Sequence, residues 1–598
     1  MKMRFIGALG SVTGSCILLN HGCCYYLVDC GAVQGSQAAR QAGESAFAFK
    51  PSGVSAVFLT HAHLDHCGLL PQLVKEGFLG RIYCTRATAD LTRHALTDVA
   101  ELGTCGFSVA DVNRLEFACP DEHPRFEFGR FFPIQKDLTC AFIRSSHILG
   151  SVGFEFQFSD WSVALPSERR TIVFSGDIGC NTDENPYQAL LNGRQYPSTH
   201  AEYIVCEATY GGRDRDQKYM DFWSRISALK GLLGQAAKLG VGATVVFPCF
   251  TLQRMQELVM DLHYLLDVAL TPDERQTWFP SAGSEARLVA EILVDSPLAR
   301  KYGAVYAKQL VRSRPNGRPF YRNAALQSRI PGTEEEAGAL LTTLFCPPGG
   351  SKQGRNYSLS YTIDGSRTNA AIRIVIAGAG MCNGGRVTEH LKNLLPSERT
   401  IVVLTGYQGA GTPGAELKRR AVNAAAVIDP AFWALSNGQV QARIVDFSDY
   451  FSGHADRNGL LDFLMRKNSS HPYRPLKRVF LVHGENDSRA ALRRAIVARG
   501  GERRGTDRSV ARVELPEAVS GWFDLLENEW VYESHSAVDR HDMQVAALLA
   551  EVSRLGARVA QLVDDPPRGA VTKGIQVDLA AVEARLAALG KETVIASL

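Results

Sequence analysis

The chain has 598 residues, too many for one compact core, so length alone predicts about three or four domain-sized units. With 45% hydrophobic and 21% charged residues it reads as globular. Its 65 Lys and Arg against 62 Asp and Glu exclude a global basic field, so any contact with nucleic acid must come from local charge.

The opening Met1-Lys2-Met3-Arg4-Phe5 hints at a signal peptide, but Gly7, Gly10 and Gly14 interrupt it. No stretch approaches the roughly 20 apolar residues of a spanning helix. The expectation is a mature cytoplasmic N-terminus and no membrane contact. The 14 cysteines show no CxxC pair or framework spacing, which fits a reducing compartment. Short apolar runs then predict strands at Tyr26–Val28, Val57–Leu59, Arg81–Cys84, Phe154–Phe158, Thr171–Phe174 and Tyr203–Cys206. Several end in a polar residue with chemical potential: Asp29, His61, Asp177 and Glu207. That is where an open layered sheet displays its functional groups.

One segment dominates. Thr60-His61-Ala62-His63-Leu64-Asp65-His66 places three imidazoles and a carboxylate within six residues after Val57-Phe58-Leu59. Imidazole and carboxylate are zinc ligands, and two ions fit if distant residues close the shell. His61 and His63 project to one side of an extended backbone, while Asp65 and His66 can turn toward a second ion. Three distant partners stand out: His147 in its Ser and Gly loop, Asp177 in Ser175-Gly176-Asp177, and His483 after Val479–Val482. A carboxylate such as Asp177 can bridge two ions. Asp29 is a candidate acceptor for the other N–H of a ligating imidazole, or a turn aspartate. Glu207 and His454 form a candidate carboxylate–imidazole pair for protonating a leaving oxygen.

From about Arg213 the pattern alternates between helix and strand. Helices are expected at Met220–Leu239 and Gln253–Leu266, and strands at Ala243–Phe247, Glu291–Val294, Ile372–Ile376 and Thr400–Leu404, as in a largely parallel α/β domain. Arg312–Lys352, rich in Pro, Gly and Arg, reads as surface loops. At the end, Leu548, Val552, Leu555, Val559 and Leu562, then Leu579, Val582, Leu586 and Leu589, step at helical spacing. They predict two short amphipathic helices, either a hairpin packed on its own chain or a homodimer contact.

Taken in order, Asp29, the His61 to His66 run, His147 and Asp177 resemble the metallo-β-lactamase fold, an αβ/βα sandwich. Glu207-Ala208-Thr209-Tyr210-Gly211, Pro248-Cys249-Phe250-Thr251, Val294–Ala299, Gly380–Arg386, Gly406-Tyr407-Gln408, Phe451-Ser452-Gly453-His454 and Val482-His483-Gly484 resemble its β-CASP branch. That branch includes the nuclease subunit of the eukaryotic cleavage and polyadenylation factor and its bacterial and archaeal relatives. The resemblance covers residues 4–490. The expected division is a first part at 1–212, an inserted β-CASP α/β domain at 213–442, a return segment at 443–532 and, outside the resemblance and read from the helical spacing, a C-terminal helical extension at 533–598.

By the same resemblance His61, His63 and His147 hold one zinc, Asp65, His66 and His483 the other, and Asp177 bridges. Asp29, Asp65, Glu207 and His454 are the catalytic set. His483 stands where RNA-acting members carry histidine and the DNA-repair branch carries valine. Arg254 and Arg386 are candidates to hold a nucleic-acid backbone, or else interdomain salt bridges, and the amides of Gly384 and Gly385 are candidate phosphate donors. The implied activity is a two-zinc phosphodiesterase acting on single-stranded RNA. Its rivals are a DNA nuclease, a small-molecule hydrolase of the same fold, and a non-catalytic scaffold. Departures include Ser145-Ser146 for the usual Ala-Gly and Gly378-Ala379 for the usual Ser-Ser.

Overall fold

The computed structural model describes residues 1–33, 47–103, 105–159, 169–188, 190–278, 290–314, 317, 319–323, 334–346, 357–361, 372–409, 411–426, 439–466, 474–501, 509–517 and 521–531. Two compact units are present: one is Met1 with Ile6–Pro516, the other Lys2–Phe5 with Glu517 onward. The expected helices between 548 and 589 lie outside the described residues, and so does any dimer contact through them.

The first unit holds three sheets. In the first, Ile17–His21 pairs antiparallel with Cys24–Val28, and Val54–Phe58, Arg81–Tyr83 and Phe117–Ala118 follow in parallel. The second runs in the order Val513–Glu514, Arg478–Val482, Tyr203–Glu207, Arg170–Phe174, Val152–Phe158, Leu138–Arg144 and Phe132–Gln135. Its first four strands are mutually parallel. Aromatic side chains weld the two sheets face to face: the Phe58 ring stands edge-on to Phe154 at 5.5 Å and to Phe156 at 4.8 Å. Helices cover the outer faces. Arg457–Met465, capped by Asp456, and Asn486–Gly501 press Leu460, Leu464, Leu492 and Ile496 onto Ile204, Val479 and Leu481. The result is a metallo-β-lactamase sandwich with an inserted third sheet.

That insertion is built on a six-stranded sheet in the order Tyr357–Tyr361, Ala290–Asp295, Ile372–Ala377, Ala243–Pro248, Thr400–Leu404 and Arg443–Asp446. All neighbours are parallel except the first pair. Ala243–Pro248 and Thr400–Leu404 are buried along their whole length, which explains why they read as unbroken apolar runs. At the sheet's edge, Arg443–Asp446 is only partly buried. One expectation is corrected here. Within 312–352 a helix runs from Glu334 to Phe345, with Leu341, Leu344 and Phe345 buried. Gly303, on the helix Pro297–Leu310, lies against the backbone of Phe345. The Pro and Gly residues that flank this short apolar stripe mask its helical spacing.

The second unit is a small antiparallel ribbon of Glu529–Val531, Trp522–Asp524 and Lys2–Phe5. Trp530 packs between Phe5 and Phe523, at ring distances of 6.2 and 5.2 Å.

Candidate metal centre

Parallel strands deliver the site. Cys24–Val28, Val54–Phe58, Arg170–Phe174, Tyr203–Glu207 and Arg478–Val482 all end at one rim, followed by Asp29, His61, Asp177, Ala208 and His483. Asp29, Ser146 and His483 adopt positive φ (60°, 60° and 46°), a backbone region that non-glycine residues avoid. Such strain persists only where the surroundings hold it, and here it turns side chains inward from strand ends.

Three donor groups form among the described residues, the third made by Asp177, Glu207 and His454. Of the first two, His61, His63, His147 and Asp177 converge in one, and Asp65, His66 and His483 converge in the other. The Asp177 carboxylate lies between them. Its Oδ2 is 3.4 Å from His61 Nε2 and 3.5 Å from His147 Nε2, and its Oδ1 is 3.3 Å from His66 Nε2 and 3.5 Å from His483 Nδ1. Asp65 Oδ2 stands 3.5 Å from His483 Nε2.

These residues fit metal ions. Nitrogens of different imidazoles approach to 3.0 Å for His61 and His63, and 3.1 Å for both His147 with His63 and His66 with His483. Ligands about 2.0–2.1 Å from a tetrahedral ion are spaced by roughly 3.3–3.4 Å, so these contacts are close to the edges of a coordination polyhedron. Asp177 Oδ1 is buried and accepts no hydrogen bond, a costly state that a cation relieves. Burial holds the imidazoles of His61 and His147 well below their ordinary pKa and brings His63 down to about 4, leaving neutral rings with lone pairs to donate.

A second layer fixes ring orientation. Although burial works against it, the charges of Asp177 and Asp29 keep a proton on His66. Its Nδ1 donates to Asp29 Oδ2 at 2.7 Å, turning Nε2 inward. Thr60 ties the same carboxylate down through its amide (2.8 Å) and hydroxyl (2.9 Å), and that hydroxyl sits 3.0 Å from His61 Nδ1. His147 Nδ1 donates to the Gly453 carbonyl at 3.0 Å, and Thr209 Oγ1 lies 3.2 Å from His483 Nδ1. This is the outer shell that metal-ligating histidines require.

Glu207 and His454 meet beside the ligands. His454 Nδ1 is 3.1 Å from Glu207 Oε1, and its Nε2 faces Asp177 Oδ2 at 4.0 Å. The amides of Ile178 (2.6 Å) and Thr209 (3.2 Å) immobilise the Glu207 carboxylate. Burial opposes a charge on His454, yet Glu207 outweighs it and lifts the imidazole to about 10. A carboxylate-held, protonated imidazole aimed at a metal site is equipped to give a proton to a departing oxygen.

Among the candidate substrate contacts, Arg254 donates to the Thr405 carbonyl at 2.5 Å and comes within 3.6 Å of where a Cβ on Gly453 would stand. Arg386 is drawn to Asp295, with Nη1 3.2 Å from Oδ1, an ion pair within the insertion. Gly384 precedes the helix Gly385–Leu394. Sequence reasoning missed Thr60, and also a buried latch. Gln253, at φ 67°, receives the Leu149 amide (3.0 Å) and the Tyr306 hydroxyl (2.5 Å) on Oε1 and donates to Glu257 at 2.9 Å. It locks the start of the Arg254 helix to the His147 loop. The Gln–Glu pair four residues apart was its one visible sign.

Three family models match in chain order: the metallo-beta-lactamase superfamily over residues 9–145, the Beta-Casp domain over 255–417, and the Zn-dependent metallo-hydrolase RNA specificity domain over 437–505. Ribonuclease TTHA0252 of Thermus thermophilus is 30% identical over 503 residues, spanning 84% of this chain and 97% of that protein. The chain belongs to the β-CASP family of the metallo-β-lactamase superfamily. It is therefore a metal-dependent hydrolase, and the donor groups at the sheet rim are groups that could hold its metal. A second relative in this family, transcription termination factor FttA of Methanocaldococcus jannaschii, is 24% identical over 81% of this chain and 67% of its own.

Proposed function

We propose that the chain is a two-zinc phosphodiesterase that hydrolyses single-stranded RNA in cytoplasmic RNA processing or decay. The observation that carries this reading is the second donor group. His483, and beside it His454, both come from the segment matched by the RNA specificity model. A relative named as a ribonuclease, aligned over nearly its whole length, supports the same substrate. The reducing compartment is supported by 14 free cysteines, and no helix among the described residues is long and apolar enough to cross a membrane.

In this reading His61, His63 and His147 would hold one ion and Asp65, His66 and His483 the other, with the Asp177 carboxylate available to both. The ions supply an acidified water and positive charge for phosphoryl transfer. Asp29 and Thr60 keep His61 and His66 facing inward, and Glu207 aims the proton of His454 Nε2 at the leaving oxygen. The insertion over 213–442 presents Arg254 to the backbone of the strand. The test offers end-labelled single-stranded RNA, single-stranded DNA and a panel of thioesters and lactones to zinc-replete protein. RNA should be cut far faster than the rest. Preferential turnover of DNA or of a small ester, or a protein that binds RNA and leaves it intact, would contradict the proposal.

A further inference from the structure

The carboxyl ends of the insertion's parallel strands carry two aromatic rings in an unusual state. Phe250, after Ala243–Pro248, is 36% exposed, and Tyr407, after Thr400–Leu404, is 53% exposed. The remaining exposed large apolar side chains among the described residues are mostly aliphatic. Phe250 is nevertheless fixed. A Cβ on Gly406 would fall 2.6 Å from its Cε2, and one on Gly380 2.8 Å from its Cδ2, so two glycine backbones flank the ring closely. Side chains at these two positions would collide with it.

A relay of contacts joins these strand ends to the donor groups. Thr405, two residues before Tyr407, accepts from Arg254; Arg254 approaches Gly453; and the Gly453 carbonyl accepts from His147. On the other side, burial first, and then the neighbouring Glu485 and Tyr210 side chains, raise the pKa of the Tyr407 phenol. Tyr210 stands edge-on to His454 with ring centres 5.7 Å apart.

We propose that Phe250 and Tyr407 form a stacking platform for the nucleobases of single-stranded RNA next to the scissile phosphate. Every base has a flat π-face, so stacking tolerates any sequence, and a ring already pinned loses little freedom on binding. Arg254, between the platform and the metal centre, sits where the intervening backbone passes. A duplex keeps its bases stacked on one another and offers no free face here. This inference deepens the proposed function and rests on it.

The test measures steady-state cleavage of a fluorescent RNA oligomer by wild type, Phe250→Ala, Tyr407→Ala and Tyr407→Phe. The same set is repeated on oligomers carrying one abasic residue at each position in turn. Tyr407→Ala should raise KM roughly tenfold, within the range of one lost base stack, with kcat near wild type. Tyr407→Phe should retain wild-type KM. One abasic position should weaken wild type and cost Tyr407→Ala nothing further, because ring and base are partners. Unchanged KM in both alanine variants, or abasic and ring losses that simply multiply, overturns the platform. Should Phe250→Ala fail to fold, the solvent-facing Tyr407 carries the test alone. A wild type that cuts no RNA removes the proposed function and the platform with it, a result distinct from altered variants of an active enzyme.

Discussion

The rim of the two-sheet sandwich and the strand ends of the inserted sheet face the same reaction but are built on opposite terms. At the sandwich rim His61, His66, His147, Asp177 and His483 are buried, crowded nitrogen to nitrogen, and anchored by Asp29, Thr60, Thr209 and Gly453. On the insertion, Phe250, Tyr407 and Arg386 are partly open to solvent and few polar anchors hold them. Chemistry demands donors fixed to fractions of an ångström before substrate arrives, whereas a surface that receives a changing sequence needs flat faces and water-exchangeable contacts. Changes at the rim should therefore act on kcat and metal content, and changes on the insertion on KM.

The largest effect is expected from Asp177→Ala, which removes the carboxylate shared by both donor groups. Elemental analysis should find metal lost, and RNA cleavage should disappear with it. Next, if the imidazole serves the leaving oxygen as proposed, His454→Ala should lower kcat by about 10²–10⁴-fold while metal content stays at the wild-type level. A His454→Ala protein that has also lost its metal would make this histidine a ligand and blur the division within the rim. Asp29→Asn leaves every ligand in place but removes the charge behind His66. Its metal affinity, read by competition with a chromogenic chelator, should fall by roughly 10–100-fold. The smallest effect belongs to Arg386→Ala. Its side chain is 39% exposed and His390 still pairs with the buried Asp295 carboxylate when it is removed, so KM should move less than in Tyr407→Ala. A larger shift would return Arg386 to the substrate path.

The same contrast explains what could be read in advance. The His61 to His66 run, Asp177 and His483 were legible because each follows a short apolar strand, and strand ends share one rim in a parallel sheet. The parallel insertion was legible from its unbroken Val and Ile runs. The helix Glu334–Phe345 was hidden by the Pro and Gly around it, since its burial comes from Gly303 on a distant helix. The Gln253 latch depends on Leu149 and Tyr306, and the inward turn of His483 on a positive φ; neither leaves a local pattern. The fixing of Phe250 likewise requires Gly380 and Gly406, far apart in sequence. Local periodicity reports elements and their ends, while contacts between remote loops emerge only in the fold.

On the proposed function, the rim holds two ions that act together on RNA. The most direct measurement strips the protein of metal and restores RNA cleavage by stepwise addition of zinc, with bound metal counted at each step. Activity should appear only as the second equivalent per chain binds. Full activity at one equivalent, or cleavage by the stripped protein, would contradict the account.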